Sequence, residues 1–241
     1  GSKEFSKSNI MGFYRGPNIV TRDLIVSLDA ASTRSYPGSG GVWYDLSGNG
    51  VNLGSTGSPT LTTLGGATCF NFDQDGDKWS GPTGGIPSTA NSNTTQRTLE
   101  VWLFPAASEI TSGDRGTVIL LNGGSGNYMS ITKSSRQLSS YWYGKNNNGY
   151  HQGAPAITNQ TWNHWCTVWT GSELKQWQNG TKYTTSNITG TSTRNTNLIV
   201  GRESSGRQYA GGIAIVRIYN SALTDDEALQ NYNAQKTRFG R

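Results

Sequence analysis

One segment of the sequence places aromatic rings beside amide groups. Residues 139–151 read Ser-Ser-Tyr-Trp-Tyr-Gly-Lys-Asn-Asn-Asn-Gly-Tyr-His. Aromatic rings pack against the C–H faces of sugars, and amide or imidazole groups pair with sugar hydroxyls. The segment therefore predicts a glycan-binding surface, although Trp and Tyr in strands commonly pack in a core instead. The candidate ligand-binding residues are Trp102, Tyr141, Trp142, Tyr143, Asn147, Tyr150 and His151.

Catalytic residues are sparse in comparison. The chain contains two histidines, His151 and His164, and has neither a Gly-x-Ser-x-Gly elbow nor a His-Glu-x-x-His motif. Paired carboxylates that hydrolyse a glycosidic bond must lie close together, and we find no strand with two acidic residues at a suitable spacing. We therefore expect a binding or structural module and no enzymatic activity.

Metal binding is a second possibility that the residues raise. Asp73-x-Asp75-x-Asp77 is similar to the start of a calcium loop. However, Gly76 stands two places too early for the glycine of an EF-hand loop, and the bidentate Glu at loop position 12 is missing. We favour a turn at this point, with no assigned metal ligand.

The composition limits the fold and the partners. Only 33% of the 241 residues are hydrophobic and 15% are charged, while 32 are Gly, which suits short strands and turns. The net charge of +5 comes from scattered Lys and Arg, so we expect no nucleic-acid partner.

We find no run long enough for membrane insertion and no signal peptide, which predicts synthesis in the cytoplasm. Cys69 and Cys166 lie in hydrophobic runs and are expected to be buried, with a bridge between them left open.

The elements that position these residues are mainly strands. The clearest strand is 99–104, whose alternation sets Leu99, Val101 and Leu103 on one face and Glu100, Trp102 and Phe104 on the other. On this alternation, Trp102 could share a ligand-binding face with the 141–151 segment. The predicted strands are residues 24–29, 42–45, 69–72, 99–104, 117–121, 128–132, 138–144, 162–169, 174–178, 198–201 and 213–219.

One helix is expected near the C-terminus. Thr224-Asp225-Asp226-Glu227 fits a capping box, and Ala228, Leu229 and Tyr232 give an apolar stripe at helical spacing. Recurring strands with this single helix predict an all-β fold, a sandwich or a barrel. We expect one domain over residues 17–241, preceded by residues 1–16 as a leader that begins with a cloning remnant, Gly1-Ser2.

Several short segments, taken in order, resemble the concanavalin A-like lectin/glucanase superfamily in its laminin-G-like form. The resemblance covers roughly residues 17–241, and it rests on the order and spacing of the segments together. The segments are residues 16–20 (GPNIV), 28–30 (LDA), 43–50 (WYDLSGNG), 70–73 (FNFD), 99–102 (LEVW), 162–164 (WNH), 178–180 (QNG), 216–220 (VRIYN) and 222–224 (ALT).

The resemblance implies a jelly roll, a two-sheet antiparallel β-sandwich with one concave sheet, and its members often bind glycans on the concave face or its rim. Glucanases of the superfamily carry a Glu-x-Asp-x-x-Glu strand, but here Trp102 and Pro105 stand where the second and third carboxylates would follow Glu100. Related sandwiches can hold a structural calcium near Asp29 and the 47–50 turn. Because Ala214 replaces an acidic residue of many relatives, calcium stays a possibility without a ligand set.

The opening residues 12–20 (GFYRGPNIV) also resemble domains of tailed-bacteriophage structural proteins. Two functional hypotheses follow. The first is a non-catalytic lectin-like module on the virion surface, whose partner is a host-surface glycan or polysaccharide. The alternative is a virion structural or decoration domain that contacts other virion proteins and binds no sugar.

Overall fold

The computed structural model describes residues 18–73, 76–81, 96–107, 115–121, 127–142, 150–187, 197–203 and 207–241, and for residues 150–154 and 184–187 it describes the backbone alone. Within these residues the chain forms short antiparallel strands. The strands are β1 Leu24–Asp29, β2 Val42–Trp43, β3 Leu53–Thr56, β4 Thr60–Leu64, β5 Ala67–Asp73, β6 Lys78–Gly81, β7 Arg97–Pro105, β8 Arg115–Leu121, β9 Asn127–Thr132, β10 Gln137–Tyr141, β11 Tyr150–Ala156, β12 Asn163–Trp169, β13 Glu173–Gln178, β14 Thr181–Asn187, β15 Leu198–Val200 and β16 Ala210–Tyr219.

The strands form two eight-stranded sheets. Sheet A has the order β14-β13-β12-β7-β16-β5-β4, with β1 paired to the C-terminal half of β16. Sheet B has the order β11-β10-β9-β8-β15-β6-β3-β2. Every pairing between these strands is antiparallel, which confirms the predicted two-sheet sandwich.

The main hydrophobic core lies between the two sheets, as the alternation in β7 predicts. Leu99, Val101 and Leu103 belong to this core, together with residues of sheet B such as Met129 and Ile131. The opposite side of β7 is also buried, because the C-terminal part of the chain packs on the outer face of sheet A. That second layer explains why β7 is buried on both faces, with Trp102 and Glu100 on the outer one.

The predicted helix is present as α1, Asp225–Gln235, and is followed by a 3₁₀ helix, Lys236–Phe239. Thr224 is the N-cap, and the Thr224 and Glu227 side chains form the predicted capping box. The predicted apolar stripe is wrong at Leu229, which is 41% exposed. The buried residues of α1 are Ala228 and the polar Asn231. Among the described residues, no helix is long and apolar enough to cross a membrane.

Other sequence predictions need correction. The strands β3, β4, β6, β11 and β14 were not predicted. Both Cys69 and Cys166 are buried and free, so the bridge left open by the sequence is not formed. Asn179 and Gly180 form the turn between β13 and β14, and both residues have positive φ.

Candidate functional site

An array of one arginine and two tyrosines lies on the outer face of sheet B. The rings of Tyr128 and Tyr141 stack with centroids 4.9 Å apart and an interplanar angle of 10°. The guanidinium of Arg115 lies 4.3 Å from the centroid of the Tyr128 ring. Tyr128 is nearly buried, whereas Tyr141 is partly exposed. Tyr141 is therefore the member of the array that a ligand can reach.

Strand alternation places these rings on the outer face. Met129 and Ile131 of β9 point into the core between the sheets, so Tyr128 points outward. Leu138 of β10 also belongs to the core, and Tyr141 stands opposite Tyr128 in the β9–β10 register. Directly opposed residues on one face lie close enough for their rings to stack.

Polar side chains surround the aromatic pair. Glu203 accepts hydrogen bonds from Arg115 at 3.1 Å and from Arg207 at 2.9 Å, and the Thr117 hydroxyl contacts the same carboxylate at 3.2 Å. The Arg115 and Glu203 side chains are 12% and 13% exposed, so their ion pair is shielded from water. Shielding strengthens an ion pair and holds the guanidinium in one position against Tyr128.

The tyrosines belong to a row of outward-facing residues that crosses sheet B. In register, Tyr141 and Tyr128 are followed by Leu120, Ile199 and Ser80 on the next three strands. Ile199 and Ser80 are partly exposed, while Leu120 is buried. The row thus joins aromatic, aliphatic and hydroxyl groups, which is the mixture that sugar-binding surfaces use.

Two of the predicted ligand residues are in the wrong place for direct binding. Trp102 is fully buried on the outer face of sheet A, where it stacks on Phe239 at 4.1 Å between ring centroids. Trp142 is fully buried in the core between the sheets and lies against Trp169. The expectation that these rings line an open surface is wrong, because alternation turns Trp142 inward and the C-terminal part of the chain covers Trp102.

The other predicted ligand residues divide into two groups. Tyr143 and Asn147 lie outside the described residues. Tyr150 and His151 lie on β11, where the backbone of Tyr150 pairs with Tyr141 and that of His151 with Ser140. Tyr150 therefore continues the register row that contains Tyr141 and Tyr128.

The sequence prediction missed Tyr128, Arg115 and Glu203. The alternation of β9 contains a signal for Tyr128, since its large ring occupies an outward position between apolar inward residues. No local signal predicts the convergence of Arg115 and Glu203, which lie 88 residues apart.

Glu100, the one carboxylate on the glucanase-like strand, lies on the outer face of sheet A in a buried polar cluster. Its Oε1 accepts a hydrogen bond from Arg217 at 2.8 Å and contacts Nε2 of His164 at 3.2 Å. Its Oε2 accepts a hydrogen bond from Asn231 of α1 at 2.7 Å. Glu100, His164 and Asn231 are fully buried. No sugar can reach this carboxylate while α1 is in place.

The electrostatics of Glu100 match this enclosed position. Burial by itself raises its pKa, but the Arg217 charge, the His164 contact and the Asn231 hydrogen bond outweigh it and lower the pKa to about 2. A general acid must hold a proton near neutral pH, so Glu100 is ionised where a glycosidase acid would be protonated.

The groups that were expected near a structural calcium are engaged by the protein itself. Asp29 accepts a hydrogen bond from Arg238 at 2.7 Å and another from the Ala31 amide at 3.0 Å. Asp45, beside the 47–50 turn, accepts hydrogen bonds from the amides of Ser27 and Val51. The described residues contain no group of three or more His, Cys, Asp or Glu side chains that could hold a metal. The residues at Asp29 therefore do not fit calcium, because the ion would have to displace Arg238.

Comparisons with known proteins agree with this architecture. The binding domain of botulinum neurotoxin serotype D superimposes with a TM-score of 0.68 at 14% identity, over 90% of this chain and 53% of that chain. The serotype D ligand binding domain in complex with N-acetylneuraminic acid has a TM-score of 0.68 at 15% identity, over 90% and 52%. Domain 4 of AbnA, a GH43 extracellular arabinanase from Geobacillus stearothermophilus, in complex with arabinotriose, has a TM-score of 0.63 at 14% identity, over 88% and 98%.

Because the identities are low, these similarities show a shared fold and nothing more. The chain spans about half the length of the toxin domains it matches. No curated protein matches the chain in sequence. The family model Laminin_G_3, of the concanavalin A-like lectin/glucanases superfamily, matches residues 80–228, which is more than half of the chain. The chain therefore belongs to the laminin-G-like family of the concanavalin A-like lectin/glucanase superfamily, as its sequence segments predict.

Proposed function

We propose that this domain is a non-catalytic lectin-like module that binds glycans on the outer face of sheet B. The observation that carries the proposal is the stacked pair of Tyr128 and Tyr141, with Tyr141 partly exposed and Arg115 against the far ring. A fixed, electron-rich ring next to charged and hydroxyl groups can hold the C–H face of a sugar and pair with its hydroxyls.

The proposed surface continues into β11. Tyr143 and Asn147 follow Tyr141 along the chain, and Tyr150 pairs with Tyr141 in register. We keep these residues and His151 as proposed ligand contacts. Trp102 and Trp142 are not part of the surface, because both are buried.

Proteins of the same fold support a carbohydrate ligand. The botulinum neurotoxin serotype D domain binds N-acetylneuraminic acid, and domain 4 of the arabinanase binds arabinotriose. These ligands differ in charge and ring size, so the fold is compatible with several sugar classes. A non-catalytic role is supported by Glu100, whose carboxylate is enclosed and ion-paired with Arg217.

The biological setting that we propose is the surface of a phage virion, where the domain would contact host glycans. Its support is the similarity of residues 12–20 to phage structural proteins. In the alternative role, as a virion structural domain that binds other virion proteins, the sheet B face would have no sugar ligand.

A binding screen with matched tyrosine variants tests the proposal. The panel contains sialylated glycans, arabino-oligosaccharides and bacterial surface polysaccharides, and the variants are Tyr141→Ala and Tyr183→Ala. Tyr183 is a suitable control because it is 43% exposed and lies on β14 of sheet A. Loss of one aromatic contact should weaken binding roughly tenfold for Tyr141→Ala. Tyr183→Ala should bind like the wild type.

Two outcomes contradict the proposal. The first is a folded wild-type domain that binds no member of the panel, which favours the virion structural role. The second is a wild type whose binding is unchanged by Tyr141→Ala, which places the sugar site elsewhere.

A further inference from the structure

The C-terminal segment, defined here as residues 224–241, covers the outer face of sheet A and packs on two small apolar clusters that lie outside the core between the sheets. Only Ala228 and Asn231 of α1 are buried, and Leu229 is 41% exposed. The first turn of the helix is held at the surface by ion pairs, from Lys182 to Asp225 at 2.9 Å and from Arg22 to Glu227 at 2.9 Å. Exposed ion pairs of this kind contribute little to stability.

Asn231 is the main buried polar contact between α1 and the rest of the domain. Its side-chain amide donates to Glu100 at 2.7 Å and contacts the Tyr219 hydroxyl at 2.9 Å. Its Oδ1 accepts a hydrogen bond from the Val20 amide at 2.8 Å. One side chain thus ties the helix to sheet A and to the first described residues of the chain.

A second contact lies at the far end of the segment. Phe239 stacks on Trp102 with centroids 4.1 Å apart and an interplanar angle of 13°. Tyr232 stacks on the same indole at 5.8 Å. Between the Asn231 and Phe239 contacts, the segment lies over four side chains that we call the Glu100 patch: Glu100, His164, Arg217 and Trp102.

We propose that the C-terminal segment opens as a unit while the sandwich stays folded, and that it is a removable cover over the Glu100 patch. The core between the two sheets contains no residue of this segment, so opening leaves that core intact. An isolated helix of 11 residues is not stable in water, so α1 unfolds when it leaves the sheet. The apolar contacts of the segment, made by Ala228, Tyr232 and Phe239, lie in clusters outside that core, so the segment can open as a local cooperative unit.

The covered patch has unused binding capacity. Among the described residues, Nε1 of Trp102, Nδ1 of His164 and Nε of Arg217 are buried without a hydrogen-bond partner. Buried polar groups without partners are costly, and an open patch can satisfy them with water or with a polar ligand. The cover therefore conceals a polar and aromatic surface that is separate from the proposed glycan face of sheet B.

The two native cysteines report on this opening. Cys166 packs in one cluster with Ala228 of α1, and Cys69 packs in another with Phe239. Burial raises the pKa of both thiols, that of Cys69 to about 12, so thiol reagents react only after the cover opens. The Cys69→Ala background leaves Cys166 as the single reporter.

The experiment measures the rate at which a thiol reagent labels Cys166 at increasing urea concentrations. Global unfolding is followed by circular dichroism over the same concentrations. We expect labelling in low urea to be faster than global unfolding allows and to depend on urea less steeply than global unfolding does, because opening exposes less surface. Asn231→Ala should accelerate it roughly 10- to 100-fold, because hydrogen bonds to a buried charge are lost. Leu229→Ala, on the same helix, should change it by no more than about twofold.

Val200→Ala supplies the control for global destabilisation, since Val200 lies in the core between the sheets. It should lower the urea midpoint without changing labelling in low urea. The proposal is overturned if wild-type labelling has the same urea dependence as global unfolding, or if Val200→Ala accelerates it as much as Asn231→Ala. Neither result bears on glycan binding, which is tested separately at Tyr141.

Discussion

Replacing Glu100 with Gln removes the only carboxylate that the described structure places against the buried guanidinium of Arg217. Arg217 is 3% exposed, and its Nη1 donates to Glu100 at 2.8 Å. The variant keeps the side-chain shape but leaves a buried positive charge without its counter-ion. Breaking a buried ion pair in this way typically costs about 3–5 kcal/mol.

The same contacts lower the pKa of Glu100 and so make the stability depend on pH. The pKa of about 2 in the folded protein lies below the ordinary 4.5, a difference that corresponds to about 3 kcal/mol of stabilisation when the group is ionised. Because the folded pKa is the lower one, this stabilisation is present above about pH 4.5 and is lost as the pH falls towards 2. Glu100→Gln should therefore lose less stability on acidification than the wild type does.

Urea unfolding followed by tryptophan fluorescence measures both effects. We expect Glu100→Gln to lower the free energy of unfolding by about 3 kcal/mol or more at neutral pH with an unchanged m-value. Asp23→Asn is the matched control, because Asp23 is half exposed in its ion pair with Arg22 and its positive φ suits Asn. A loss below about 1 kcal/mol for Glu100→Gln would refute the buried, ion-paired position derived for this carboxylate.

Two further predictions concern the core and calcium. Trp142→Ala should lower the free energy of unfolding by about 3–5 kcal/mol, because it empties a fully buried site against Trp169. Glycan binding by the fraction that remains folded should then be unchanged, and binding lost without a change in stability would place Trp142 at the ligand. Calcium or a chelator should leave the melting temperature unchanged, because Arg238 occupies the Asp29 carboxylate. A calcium-dependent rise that Asp29→Asn abolishes would show that the ion displaces this arginine.

The elements that could be predicted from sequence are those with strong local signals. β7 follows from its alternation, and α1 begins where the Thr224–Glu227 capping box places it. β11 could not be predicted in the same way, because Tyr150–Ala156 contains Gly and Pro and gains its strand conformation by pairing with β10. Tertiary pairing overrode local propensity there, as is common for strands near a sheet edge.

The aromatic pair on sheet B could be predicted only in part. Tyr141 lies in the aromatic–amide segment, but its stacking partner Tyr128 comes from a different strand and depends on the β9–β10 register. Trp142 has the same local signal as Tyr141. A side-chain period of two turns one ring outward and the next into the core, so composition alone cannot separate them.

The sequence by itself determined the all-β class, the family and the capped C-terminal helix, because periodicity, segment order and capping are local properties of a chain. Only the tertiary structure decided that Trp102 and Glu100 lie beneath that helix and that Arg115 meets Glu203 beside Tyr128. Burial and long-range ion pairs depend on which face of a strand another element covers. That choice is made by the packing of residues far apart in sequence.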